Sequence, residues 1–375
     1  MKRENSRKNS IIKLRIYVCL LFLVAVFMDV TQYMTYKDNK GIIKEPVFST
    51  VLFLLIYLSY KSMILVREGG KVVCGKISGY DFVFTRIGRI FILNNIGKKK
   101  VKRLSYAVWG GQTIMAPHEY KDGDYPYLLY NYGGAISCIL YYALAALILL
   151  PCKDLLYAGA FLKSLSVFAL IIIIKEVIVS AKNKLNVMKN SETRRCFYSW
   201  AKMNYLLSEG VRFKDMDENL FAMPDNDYLA DHVCALIGAV NIDRALDKLD
   251  IESARQYALH TLKYGKGLAA GNRNVVKLQL IFCDLLSGDR DEELAELLDE
   301  DMKKLLKSEV YISEAVTVQY AYSLFYEHDN EEAEKYLDKF NESLKDCTHD
   351  AKVKKETEII KYVRDRHDNK IYGRN

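Results

Sequence analysis

The chain has 375 residues, with 54 basic against 47 acidic side chains and a net charge of +7, so it is long enough for two or three domains and only mildly basic. Half of it is apolar, and the long apolar runs crowd the first half while the second half is charged. The 8 cysteines are singletons with no CxxC pair, a spacing that argues against a disulfide framework or a zinc ribbon and for reduced thiols.

In chain order the first feature is a basic N-terminus, Lys2 to Arg15, before an apolar run from about Ile16 to Met34. No Ala-x-Ala-like site follows that run, so it reads as a retained anchor rather than a cleaved signal peptide. Three more segments have spanning character: Val47 to Val66, Ala135 to Leu150 and about Leu155 to Ser180. Four crossings with the basic N-terminus inside put both termini in the cytosol, a multi-pass arrangement in the cell membrane. The Arg67–Tyr130 stretch is then also cytosolic, and the segments around Asp38 and Cys152 lie outside.

Between the second and third spans, Asp81–Ile87, Arg89–Leu93 and Val101–Val108 are short aromatic and β-branched runs separated by Gly88, Asn94-Asn95 and Gly97. They predict a small antiparallel sheet at the membrane surface, an insertion at about 80–108. Gly110 to Pro126 reads as a loop. The Lys98–Arg103 cluster is suited to anionic membrane lipid; no nucleic-acid module accompanies it, so no nucleic-acid partner is expected.

The blocks around the second span carry a resemblance. Gly75, Gly79-Tyr80-Asp-Phe, Phe84-Thr-Arg-Ile-Gly88, Gly110-Gly111-Gln112, Met115-Ala-Pro117, Lys121-Asp-Gly123, Tyr125-Pro-Tyr127 and Leu129-Tyr-Asn131-Tyr-Gly133-Gly134 are similar, in order and membrane spacing, to a bacterial branch of the site-2 protease family. The resemblance covers roughly Val47 to Tyr205. That family uses a zinc ion held by an HExxH helix, two imidazoles one turn apart with a glutamate as general base.

Matched residue by residue, the first histidine falls on Arg67, the glutamate on Glu68 and the second histidine on Lys71. The paired glycines of the next core helix are Gly133 and Gly134, and the family's asparagine falls on Cys138. The third ligand, an aspartate, falls on Ser191 within Asn190-Ser191-Glu192. The retained general-base position is therefore Glu68, while Arg67, Lys71 and Ser191 are degenerate ligand positions. A guanidinium cannot bind zinc, so the resemblance implies a family metal that this chain has lost, and no metal or other cofactor. The one histidine before the second half, His118, sits with Glu119 and Asp122 in a polar loop suited to solvent. Arg67 or Lys71 pairing with Glu68 would replace the zinc charge.

From Thr193 onward, helical periods run over Arg195–Leu207, Ile251–Tyr264, Val275–Leu286, Glu292–Leu306, Val310–Glu327 and Asn330 to about Leu344. Ala321, Phe325, Ala333, Leu337 and Phe340 resemble a tetratricopeptide repeat, with small residues where two antiparallel helices cross. Tyr257, Tyr264, Tyr320, Tyr322, Tyr326 and Tyr336 line a peptide groove or, for most of them, fill helix seams.

The expected fold is mostly α. It comprises a multi-pass transmembrane helical core of about four spans with a small membrane-surface β-sheet, and a cytosolic α-helical tetratricopeptide-like domain. Its domains are 1–46, a cytosolic tail and first transmembrane helix; 47–192, the protease-like core; and 193–375, the helical domain. The resemblance implies a pseudoprotease that binds a membrane-embedded helix or small peptide, with a cytosolic protein partner on 193–375. Two alternatives stand beside it: an active intramembrane peptidase with a non-standard site, such as Glu68 or a Cys74 or Cys138 thiol, and a membrane-anchored helical-repeat adaptor.

Overall fold

The computed structural model describes residues 45–105, 110–121, 123–152, 156–179, 187–288, 291–308 and 313–372. The span expected at Ile16–Met34 lies outside them. The described residues divide into two compact units, one drawn from 45–78 and 127–179, the other from 79–126 and 187–372.

The first unit is three helices: α1 (Glu45–Ile77), α2 (Leu128–Leu149) and α3 (Leu156–Ile173), the last continued by a π-helical turn over Ile174–Val179. Stretches Thr50–Ile77, Leu128–Cys152 and Tyr157–Glu176 are long and apolar enough to cross a membrane. Their outer faces stay apolar: Phe53 and Leu54 of α1 and Leu144, Leu147 and Ile148 of α2 are exposed. So continuous an apolar surface suits hydrocarbon, not water. Inward, Leu52, Ile56, Met63, Cys138, Leu165 and Phe168 form a common core.

Helix α1 does not end at Val66. It runs on through Arg67-Glu68-Gly69-Gly70-Lys71 to Ile77, because those charges find partners within the unit instead of marking an exit to solvent. Likewise α2 starts at Leu128, ahead of Ala135, and so carries Gly133 and Gly134 inside it. These glycines set how closely α1 and α2 approach. A Cβ on Gly70 would lie 2.1 Å from Ser137 Oγ, and one on Gly133 would lie 2.5 Å from Cys74 Cβ. Only glycine permits that backbone proximity, the usual device for packing helices in lipid.

The second unit opens with a four-stranded antiparallel sheet in the order β3-β2-β1-β4: β1 Tyr80–Ile87, β2 Ile90–Asn95, β3 Lys98–Arg103 and β4 Gly111–Pro117. Ile96 and Gly97, at φ 52° and 70°, make the tight turn between β2 and β3 and pair Asn95 with Lys98. The stretch read as a loop after Gly110 begins instead with a strand, β4, paired with β1 from Ile87↔Gly111 to Tyr80↔Pro117. Every residue from Thr113 to Pro117 is buried, so β4 lacks the polar–apolar alternation that marks a strand in sequence.

Helix α4 (Ser191–Ser208) covers the sheet: Ala201, with Phe197 and Trp200, packs on Val83, Phe91 and Ile114. The sheet thus belongs with the charged half of the chain, whereas the sequence placed it as an insertion in 47–192. Asn190 caps α4, its side chain accepting from the backbone N–H of Glu192 at 2.9 Å and Thr193 at 3.2 Å.

Among the described residues eight further α-helices follow: α5 (His232–Asp247), α6 (Ile251–Tyr264), α7 (Ala270–Ser287), α8 (Asp291–Leu297), α9 (Glu300–Ser308), α10 (Ser313–Tyr322, continued by a π-helical turn to Glu327), α11 (Asn330–Ser343) and α12 (Asp350–Tyr372). Neighbours pack in succession, α5 on α6, α6 on α7 and α10 on α11. Small residues sit at the crossing of α5 and α6: Ala254 and Ala258 are fully buried, and a Cβ on Gly238 would lie 2.4 Å from Thr261 Oγ1. The period over Glu292–Leu306 is two helices rather than one. Asp299 interrupts it, its carboxylate accepting from Met302 N–H at 2.7 Å to start α9.

Candidate functional site

Arg67 and Lys71 are four residues apart on α1 and so share a face. Both are turned inward with Glu68 between them: Arg67 is 5 % exposed and Glu68 fully buried. Arg67 Nε donates to Glu68 Oε1 at 2.6 Å, and its Nη2 reaches the same oxygen. Lys71 Nζ lies 3.7 Å from Glu68 Oε2. The pairing of Glu68 with its neighbouring cations, expected from the sequence, is therefore present.

A fourth member comes from far along the chain. Glu176, on the π-helical turn after α3, is buried, with Oε1 3.7 Å from Arg67 Nη1 and 3.8 Å from Lys71 Nζ. A π-helical turn re-aims side chains within an otherwise regular helix and often occurs at functional positions. In the sequence Lys175-Glu176 reads only as the end of a span, so nothing singled it out. The result is a quartet of two cations and two carboxylates without net charge. Mutual pairing is what makes such burial tolerable; any member alone would carry its full desolvation cost.

Helix α2 backs the quartet. A Cβ on Gly134 would lie 3.0 Å from Arg67 Cγ and 3.1 Å from Lys71 Cε, so the glycine leaves room for both cationic stems. Cys138, one turn on, is fully buried with Sγ 3.7 Å from the Met63 carbonyl oxygen. Cys74 is buried against Gly133. Structure thus brings together Arg67, Glu68, Lys71, Gly133, Gly134 and Cys138. Ser191 it places in the second unit, as the first residue of α4 beside the Asn190 cap.

The zinc ion that the resemblance implies does not fit this donor set. The Arg67 guanidinium has no lone pair to offer, a charged Lys71 has none, and both carboxylates are engaged by these cations. Among the described residues no group of three or more His, Cys, Asp or Glu side chains is placed to hold a metal ion. His118 is exposed, with Nδ1 3.1 Å from Asp81 Oδ2; Asp122 lies outside the described residues. Both oxygens of Glu68 face cations.

The second unit buries charge as well. Lys355, 2 % exposed, lies 2.9 Å from Asp243 and 3.0 Å from Glu356. Arg212 Nε donates to Asp247 Oδ1 at 3.0 Å and Nη2 to Glu358 at 2.8 Å, tying the segment after α4 to α5 and α12. His349 is buried with Nδ1 2.8 Å from Thr348 Oγ1. Burial, with Lys352 and Lys102 nearby, holds its imidazole down to about 3.

No family model, no curated protein and no solved structure matches the chain.

Proposed function

We propose that the chain is a multi-pass membrane pseudoprotease built on a site-2 protease-like core, in which the Arg67–Glu68–Lys71–Glu176 quartet stands where the family holds zinc. The observation that carries this reading is a buried guanidinium, Arg67, and a half-buried lysine, Lys71, at the HExxH ligand positions, each paired with both carboxylates. A site of this kind holds its helices together without cutting. Its substrate-like partner is a membrane-embedded helix or a small peptide, bound by the three apolar helices. The helical half, 193–375, is a cytosolic tetratricopeptide-like domain that engages a protein partner; small residues at its helix crossings and its successive helix pairs support that part. Both termini lie in the cytosol and the basic segments face anionic lipid.

Two measurements on the purified full-length protein test this: metal content, and cleavage of a model transmembrane peptide. The expected result is substoichiometric zinc and no cleavage that a chelator blocks. Stoichiometric zinc with chelator-sensitive cleavage overturns the reading.

A further inference from the structure

Helix α1 carries a lysine inside its apolar stretch. Lys61 is half-buried, and the residues one turn to either side of it on the same face, Tyr57 and Leu65, are exposed, as are Phe53, Leu54 and Leu58. Its ammonium lies over two rings, 5.4 Å from the Tyr57 centroid and 5.8 Å from that of Tyr60. Tyr60 is packed in turn on Phe168 of α3, with ring centroids 5.5 Å apart. The ring faces attract the cation without neutralising it, and among the described residues no carboxylate pairs with Lys61. Glu68, further along the same helix, is already engaged by Arg67 and Lys71.

The stretch long and apolar enough to cross a membrane is Thr50–Ile77. At about 1.5 Å of rise per residue, Lys61 lies about 16 Å in from Thr50 and about 9 Å short of Arg67. Side chains on a helix lean toward its N-terminus, and the ammonium follows that lean back over Tyr57. Lys61 thus points along the longer of its two ways out, whereas a lysine that only snorkels takes the nearer exit to the headgroups. An unpaired ammonium in hydrocarbon is costly, and residues of this kind meet a partner there. Charge complementarity selects that partner. Lipid phosphates lie at the headgroups, outside the hydrocarbon, and a second copy of this face would set Lys61 against Lys61. A carboxylate on a neighbouring helix neutralises the charge, and Phe53, Tyr57, Leu58 and Leu65 offer apolar surface to the side chains on either side of that acid.

We infer that the Phe53–Leu65 face of α1 docks a partner transmembrane helix that carries one Asp or Glu within its apolar stretch, with Lys61 as the ionic contact. This rests on the reading above that the partner is a membrane-embedded helix, and it names the chemistry that selects that helix. Zinc-dependent cleavage would overturn the pseudoprotease reading and leave the Lys61 contact standing; loss of the Lys61 contact would leave the zinc and cleavage results as they are.

The test uses the full-length protein in lipid nanodiscs with synthetic Leu/Ala helices of about 20 residues, each carrying one central Glu, Gln or Leu. Energy transfer between labels on peptide and protein reads association. The Glu helix is expected to bind the wild type roughly tenfold more tightly than the Gln and Leu helices, about 1.4 kcal/mol. K61R keeps that preference; K61M loses it, while the Leu helix binds both variants alike. Moving the Glu about two turns toward either end of the peptide abolishes the preference, a readout on the wild type that needs no variant to fold. The inference is overturned if the three helices bind the wild type alike, if the preference ignores the depth of the Glu, or if K61M retains it. A preference that appears only in D29N gives the face to the chain's own first apolar run and overturns it too.

Discussion

Glu176 lies 3.8 Å from Lys71, joining the π-helical turn after α3 to the charged stretch of α1. That contact makes the quartet a tertiary feature rather than a local one. Substituting Glu176→Gln leaves Arg67 and Lys71 with a single buried carboxylate and is expected to cost about 3 kcal/mol. The double variant K71M/E176Q removes one charge of each sign and recovers most of that loss. Thermal unfolding in detergent reads both; additive effects of the two substitutions would show that the residues do not interact.

The helix crossing gives a sharper contrast. Gly70→Ala would put a methyl 2.1 Å from Ser137 Oγ and 2.8 Å from the Gly133 carbonyl oxygen, and overpacking of this kind costs about 1–3 kcal/mol. Its neighbour Gly69 has nothing within 4 Å of the same position, so Gly69→Ala is neutral or stabilises by about 0.5–1 kcal/mol through helix propensity. Equal effects at the two sites, measured as unfolding midpoints, would refute the close α1–α2 approach.

Acid sensitivity between pH 6.5 and 5 is assigned to His349. In the unfolded chain the imidazole titrates near 6.5, whereas in the fold it is held down to about 3. Over that interval the unfolded state binds a proton that the folded state does not, so stability falls as pH falls, by at most about 1.4 kcal/mol per pH unit. Two carboxyls act only lower down. Burial pushes Glu314 up, but Lys352 and Lys355 bring it down to about 2, and hydrogen bonds from Arg212 hold Glu358 to about 2. Their losses therefore begin below pH 4.5. His349→Gln should flatten the slope of unfolding midpoint against pH above 5; an unchanged slope assigns the sensitivity elsewhere.

Arg212 holds two carboxylates of unequal worth. Asp247 is buried, and it also accepts from Lys214 N–H at 3.0 Å. Asp247→Ala leaves the buried guanidinium with only the half-exposed Glu358 and is expected to cost about 3 kcal/mol. The Glu358 side chain is 47 % exposed, so Glu358→Ala should cost no more than about 1 kcal/mol. Chemical denaturation of the two variants side by side distinguishes them.

Local signals carried much of this architecture. The period from Ile251 to Tyr264 matches α6 at both ends, because Asp250 caps its start, accepting from Ser253 N–H at 3.0 Å, and Gly265 follows its end. Arg67, Glu68 and Lys71 stood out in the sequence as one charged block and Gly133-Gly134 as a glycine pair, but their approach to each other is seen only in the fold. Glu176 was not, since its meaning arises only when a π-helical turn brings it to α1. Strand β4 was missed because burial on both faces erased its alternation. Helices α5 and α12 went unmarked for related reasons. α5 is buried over most of its length, which blurs the amphipathic pattern, and α12 is so dense in charge that its seam is thin: Ala351, Ile359, Ile360 and Val363.

Strand β3 is the outermost strand of its sheet, and Lys98, Lys99 and Lys100 are all exposed on it. An open strand edge is a template on which another chain can pair its backbone. A second copy approaching in register would stack lysine on lysine, and the repulsion would act before any backbone hydrogen bond could form. These lysines thus keep neighbouring molecules from joining edge to edge, which matters most where molecules are crowded.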